Sequence, residues 1–206
     1  MTSDRKAHWQ RVYTDKEPTT VSWFQPVPES SLRLIQSTGL QKHLPILDVG
    51  GGASTLVDHL LASGYTDISV LDISAGALAT SRARLGDQAQ SVTWIAADVT
   101  AFQPARRYAL WHDRAAFHFL TSANDRARYI EVLRNALQPG GDLVLATFGP
   151  DGPMRCSGLD ICRYGIEALL ELFGAHFTLQ HHELEAHQTP AGSSQQFLYS
   201  WWRAAC

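Results

Sequence analysis

The segment Pro45-Ile46-Leu47-Asp48-Val49-Gly50-Gly51-Gly52-Ala53-Ser54 constrains the fold more than any other stretch of the chain. A short apolar run ending in turn formers reads as a buried strand. Three successive glycines then allow a sharp turn and a close approach to the main chain. Leu56, Val57, Leu60 and Leu61 follow at helical spacing, and Gly64 closes that helix. A helix N-terminus behind a glycine turn presents free N–H groups to a ligand. The bland alternative is a tight turn that holds nothing, at the entropic cost of three ordered glycines.

The same alternation continues to the end. Residues 68–72, 92–96, 108–112 and 143–148 read as strands. Ser74 reads as the N-cap of a helix running to about Leu85. Tyr129, Ile130, Leu133 and Leu137 mark another helix, stopped by Pro139-Gly140-Gly141. Residues 149–153 form a loop, and Ile166, Leu169, Leu170 and Phe173 mark one side of a last helix. Strands alternating with helices imply parallel pairing through crossover connections. Two closing strand-like runs, 177–184 and 196–202, flank a turn at residues 189–192 and read as an antiparallel hairpin. Up to about Thr38 the chain reads as helical pieces around a proline-containing loop, the clearer one opening at Pro28-Glu29-Ser30.

Among 206 residues, 45% are hydrophobic and 18% charged, which excludes a disordered chain and suits one domain with a real core. The formal charge of −3 gives no global attraction to nucleic acid or anionic lipid. No apolar run has the length of a membrane span, and MTSDRKAHWQRVY lacks a secretory apolar stretch. Three cysteines form no disulfide framework, so the expected setting is the reducing cytoplasm.

Three carboxylates indicate the ligand. Asp72 closes the second strand, twenty residues beyond Gly52, where an acidic side chain accepts hydrogen bonds from both ribose hydroxyls. A dinucleotide and any other adenosine cofactor share that requirement. Asp48, directly before the glycines, suits a cationic group better than a pyrophosphate. The last glycine of the dinucleotide fingerprint is replaced by Thr55. Asp98 closes the third strand within reach of an adenine amino group.

Asp48-Val49-Gly50-Gly51-Gly52, Asp72, Ala97-Asp98 and Leu137-Gln138-Pro139-Gly140-Gly141 together resemble the successive motifs of class I S-adenosylmethionine-dependent methyltransferases. The resemblance covers roughly residues 44–203, with Ser54 where the family usually has glycine. It implies an α/β, Rossmann-like, doubly wound and mostly parallel seven-stranded sheet ending in an antiparallel hairpin. Residues 1–206 are then a single domain, with 1–43 a helical lid or cap and 44–206 the core. The resemblance also implies S-adenosyl-L-methionine as cofactor, held by Asp48, Gly50, Gly51, Gly52, Ser54, Asp72, Ile73, Asp98, Val99 and Asp113. Asp48 would order the glycine loop from beneath. Ile73 would pack on the adenine, and Asp113 would face the cofactor's amino-acid end.

Methyl transfer from a sulfonium needs in-line positioning and exclusion of water, with a base only for some acceptors. His118 after the fourth strand is the candidate base, or else a structural histidine. Arg114 binds a substrate carboxylate, or pairs with Asp113 or Asp125. Tyr13 and Trp23 in the N-terminal segment and Arg155 in the 149–164 loop are candidate substrate or lid residues. Cys156 and Cys162 lack zinc-ligand spacing, and of His181, His182 and His187 the first two point to opposite faces of a strand and read as surface residues, so no metal is expected. The acceptor is expected to be a small molecule, because no recognition domain is appended. Protein lysine is the alternative, since Trp9, Tyr13, Trp23 and Phe24 distantly resemble lysine methyltransferases. Further alternatives are a nicotinamide-dependent oxidoreductase and a non-catalytic cofactor binder. Asp113-Arg114-Ala115-Ala116 stands where amino-methylating enzymes of nucleic-acid bases often carry an Asn/Asp-Pro-Pro-aromatic motif, which counts against nucleic acid.

Overall fold

A computed structural model describes residues 2–205, with side chains from residue 4. Cys206, the third cysteine, lies outside the described residues. The elements are α1 (Thr2–Asp15), α2 (Glu29–Ser37), β1 (Ile46–Val49), α3 (Leu56–Ala62), β2 (Ile68–Asp72), α4 (Ala75–Leu85), β3 (Val92–Ala96) and β4 (Tyr108–Arg114). They continue with α5 (Ala123–Ala136), β5 (Leu137–Phe148), β6 (Arg155–Cys156), β7 (Leu159–Asp160), α6 (Ile166–Phe173), β8 (Phe177–Gln188) and β9 (Ser194–Ala204). Seven strands form one sheet in the order β3-β2-β1-β4-β5-β9-β8. The first five are parallel, and β9 lies antiparallel between β5 and β8. This is the expected Rossmann-like sheet.

Alternation along the strands divides two cores. Ile46, Leu110, Val144 and Tyr199 face α2 and α3 through Leu34, Ile35, Leu56 and Leu60. Leu47, Val49, Trp111, Leu143 and Trp202 face α5 and α6 through Tyr129, Leu133, Leu169 and Phe173. Both faces are covered, which is why β1 and β2 are buried along their whole length.

Several boundaries differ from the sequence reading. β4 runs on through Asp113 and Arg114, so both side chains are fixed by the sheet. Helix α5 ends at Ala136, and Leu137 is already extended. Gln138 precedes a proline, which disfavours helical backbone. The Pro139-Gly140-Gly141 run is an irregular entry into β5, where the pairing jumps from Tyr108↔Leu137 to Leu110↔Asp142. Leu170 is exposed, not part of the apolar side of α6. The 149–164 loop carries an unforeseen hairpin, β6–β7, turned by Ser157 and Gly158, both at positive φ. β8 and β9 are longer than expected and pair from Phe177↔Ala204 to Gln188↔Ser194. Among the described residues no helix is long and apolar enough to cross a membrane, and no group of three or more His, Cys, Asp or Glu is placed to hold a metal.

Candidate active site

The site lies at the carboxyl ends of β1 to β5, where ligands bind in open α/β sheets. The glycine turn is its floor. Gly50 has φ +70, and a Cβ there would lie 2.8 Å from Ala116 Cβ. A Cβ on Gly51 would collide with the Asp48 carboxylate, so Asp48 does sit directly beneath the loop. A Cβ on Gly52 would lie 2.5 Å from Asp72 Oδ2 and 2.9 Å from Ala77 Cβ.

One cavity opens beside this turn, lined by Gly50, Asp72, Ile73, Asp98, Val99, Arg114, Ala115, Ala116 and a wall of Trp9, Tyr13, Trp23, Phe119 and Phe148. Asp72 Oδ1 accepts the Ser74 N–H at 2.7 Å, and Gly52 and Ile73 also donate to the carboxylate. Burial nevertheless dominates and pushes Asp72 up to about 7. Asp98 Oδ1 accepts from the Thr100 N–H at 2.9 Å and hydroxyl at 2.8 Å. Its Oδ2 is buried, has no hydrogen-bond partner, and lies 3.7 Å from Arg5. An orphaned acceptor beside Val99, an acidic pocket at Asp72 and a floor too tight for any Cβ fit an adenosine that carries an amino-acid arm.

A second cavity on the other side of Gly50 is lined by Tyr13, Trp23, Ser31, Asp48, Gly51, Ser54, His112 and Arg114. Here lies a constellation the sequence did not reveal. His112 Nδ1 donates to Asp48 Oδ1 at 2.7 Å, and its Nε2 is 2.9 Å from Ser31 Oγ. The Ser31 hydroxyl also lies beside that of Tyr199, and Arg114 Nε donates to the Tyr199 hydroxyl at 2.8 Å. The order Asp–His–Ser matches a hydrolase triad. Ser31, however, is fully buried and its oxygen is flanked on both sides, so it has no room to attack a substrate. The group acts as a rigid polar chain from the glycine floor to Arg114. Its signal is the β1–β4 register, which sets Asp48 beside His112 and becomes readable only once the strands are paired.

The other candidates divide. Arg114 pairs with neither Asp113 nor Asp125. Its Nη1 donates to the Trp23 carbonyl at 2.8 Å, and its guanidinium lies 4.6 Å from the Phe197 ring centroid. Asp113 faces away from the cavity, in correction of the expectation. The sheet turns it toward α5, where it accepts from Tyr129 Oη at 2.7 Å and from the N–H groups of Ala116 and Phe117. Burial raises it to about 6. His118 is likewise off the cavity. Fully buried, it stacks on Phe148 and accepts that residue's N–H at Nδ1. Burial and the Arg114 charge lower it to about 3, so it stays neutral and meets no acceptor. Arg155 points outward to Asp160, while its neighbour Cys156 lines the cavity. Ser54 is exposed at the second cavity's rim, its Oγ accepting from the Leu56 N–H.

Helix α1 roofs both cavities. Gln10 Oε1 accepts from Ser74 Oγ at 3.2 Å and the Gly76 N–H at 3.3 Å. Arg5 reaches Asp98 and Asp125. Trp9 packs on Phe119, Trp23 and Tyr13 with centroids 4.9, 5.8 and 6.4 Å apart. Neither Gln10 nor Arg5 carries a sequence signal, since each acts through a partner more than sixty residues away.

Residues 46–141 match the family model described as a methyltransferase domain. No curated protein matches the chain. Among solved structures, the N-methyltransferase NodS from Bradyrhizobium japonicum WM9 in complex with S-adenosyl-L-homocysteine is 17% identical, with 98% of each chain covered and a TM-score of 0.71. The 1,6-didemethyltoxoflavin-N1-methyltransferase from Burkholderia thailandensis is 20% identical, covering 100% of this chain and 87% of that one at a TM-score of 0.70. A protein from echinomycin biosynthesis, described by conversion of a disulfide bond into a thioacetal group, is 15% identical and covers 98% and 92% at a TM-score of 0.77. Residues 46–141 thus match a methyltransferase domain, and the strand order around the glycine floor is the fold shared with these solved methyltransferase structures.

Proposed function

We propose that the protein methylates a small, largely planar acceptor held in the cavity walled by Trp9, Tyr13, Trp23, Phe119 and Phe148. The observation that carries this is the cavity itself. Its aromatic wall is continuous with Asp72 and Asp98 and lies under α1. Asp98 and Val99 hold the adenine, Asp72 the ribose, and the Gly50–Gly52 floor with Asp48 the amino-acid arm. S-adenosylmethionine supplies an activated methyl group on sulfonium sulfur. The protein's own part is to hold the acceptor in line, shut out water with α1, and surround the reacting centre with aromatic faces that favour positive charge.

Asp72, pushed up to about 7, is taken up by the ribose in this reading, and no side chain of the aromatic wall is suited to deprotonating an acceptor. Burial pushes Tyr13 far above its usual range and Cys156 up to about 11. The reading therefore favours a neutral nitrogen or a soft nucleophile that sheds its proton to water. Two similar solved structures carry names that specify N-methylation, which agrees with this choice. Arg114 on the wall repels an ammonium and weighs against protein lysine. The proposal includes a single domain capped by residues 1–43, a cytoplasmic setting, and no nucleic-acid partner. The test is incubation with methyl-labelled S-adenosylmethionine and two separate pools, small nitrogen heterocycles and cell-extract protein. Label in the heterocycles supports the reading, and label confined to protein overturns it.

A further inference from the structure

Arg114 is a cation without an anion. It borders both cavities, and among the described residues it forms no ion pair. Two of its three guanidinium nitrogens are engaged by neutral oxygens, those of Tyr199 and Trp23. The third, Nη2, is shut off from solvent and has no partner. Glu185, a carboxylate whose charge also reaches Tyr199, instead accepts from Gln25 at 3.2 Å. The other titratable groups that feel the guanidinium supply no negative charge at neutral pH. His118 and His187 are held low, Tyr199 high, and Cys156 at about 11. Arg114 is half-buried, and a cation with one nitrogen out of water and unpaired is stabilised by a ligand carboxylate.

We infer that Arg114 is the anchor for a carboxylate on the methyl acceptor, which makes the acceptor an aromatic or heteroaromatic acid. The inference rests on the proposed methyl transfer and deepens it. Sheet order separates this carboxylate from the cofactor's own. Asp98 follows β3, Asp72 ends β2, and the glycines follow β1. Arg114 ends β4 and hangs from Tyr199 on β9, with Phe197 beneath it, so it leans away from β1 toward the far half of the sheet. The chain Asp48–His112–Ser31–Tyr199 fixes this orientation from the glycine floor outward. One free nitrogen amid aromatic walls suits a carboxylate monoanion better than a phosphate, which asks for more donors.

The experiment is calorimetric titration of the full chain, saturated with S-adenosylhomocysteine, with benzoate, phenylacetate and indole-3-acetate, each beside its neutral amide. At least one acid should bind at least tenfold more tightly than its amide. Arg114→Gln should abolish that preference, and Arg114→Lys should retain part of it. Failure of all three acids to outbind their amides overturns the inference. Separately, S-adenosylhomocysteine and 5′-methylthioadenosine, which lacks the amino-acid arm, are titrated into wild type and Arg114→Gln. Equal affinities of each ligand for the two proteins support the acceptor assignment and show that the variant is folded. A tenfold loss for S-adenosylhomocysteine alone hands the carboxylate to the cofactor and overturns the assignment. Absence of S-adenosylhomocysteine binding by wild type counts against the methyltransferase reading itself, a result distinct from failure of the acids alone.

Discussion

Gly52 and Asp72 are packed so closely that a Cβ on the glycine would lie 2.5 Å from the carboxylate oxygen of the aspartate. The end of β2 and the turn after β1 thus share one van der Waals shell, with Ala77 of α4 behind it. Gly52→Ala forces Asp72 or α4 to move. Affinity for S-adenosylhomocysteine should fall about tenfold or more, in line with an overpacking cost of about 1–3 kcal/mol. Calorimetry on the variant checks this, and unchanged affinity contradicts the placement of the ribose at Asp72.

Binding should depend on pH through Asp72. Burial raises its carboxyl from 3.8 to about 7. Ribose hydroxyls donate to the ionised form, so binding requires a proton to leave. Affinity for S-adenosylhomocysteine should weaken up to about tenfold per pH unit below 7 and level off above it. Asp72→Asn should flatten the profile. The contribution to folding has the opposite direction. A folded pKa above the unfolded value stabilises fully below about pH 4 and is lost as pH rises through about 7. An affinity that is flat from pH 5.5 to 8 in the wild type excludes this account.

Asp113 is a structural clamp. It gathers the Tyr129 hydroxyl and the N–H groups of Ala116 and Phe117, which shape the turn bordering the cavity. Asp113→Ala leaves three donors without their acceptor and should cost at least about 3 kcal/mol of unfolding free energy, at about 1–3 per buried group. Urea denaturation measures it. A loss under about 1 kcal/mol contradicts the clamp.

The Asp48–His112–Ser31 group should be inert as a hydrolase. Ser31 should resist a fluorophosphonate probe, whereas a labelled Ser31 in mass spectrometry contradicts its burial. His112→Leu should destabilise more than Ser31→Ala, by about 3–5 kcal/mol against about 1, because it strands a buried carboxylate.

Much of this architecture is legible in the sequence because local signals agree. The apolar runs of β2 and β3 end where turn formers begin, and Ser74 caps α4 through the Ala77 N–H as its position implies. Asp48, Asp72 and Asp98 are legible as a group because each stands at or near the carboxyl end of a strand, and the structure sets all three on the lining of the two cavities. Side-chain direction was less accessible. Asp113 and Arg114 are neighbours that point to opposite faces, and only the true end of β4 tells which one meets the cavity. His118 reads as a base from its neighbours, yet those aromatic rings are what bury it. Contacts made by α1 through Gln10 and Arg5 depend on docking across the sheet, which no local pattern encodes.

The most direct measurement is parallel calorimetric titration of the protein with S-adenosylhomocysteine and NAD. Saturable one-to-one binding of S-adenosylhomocysteine, without binding of NAD, is the predicted result. Binding of NAD alone would contradict the assignment of the site.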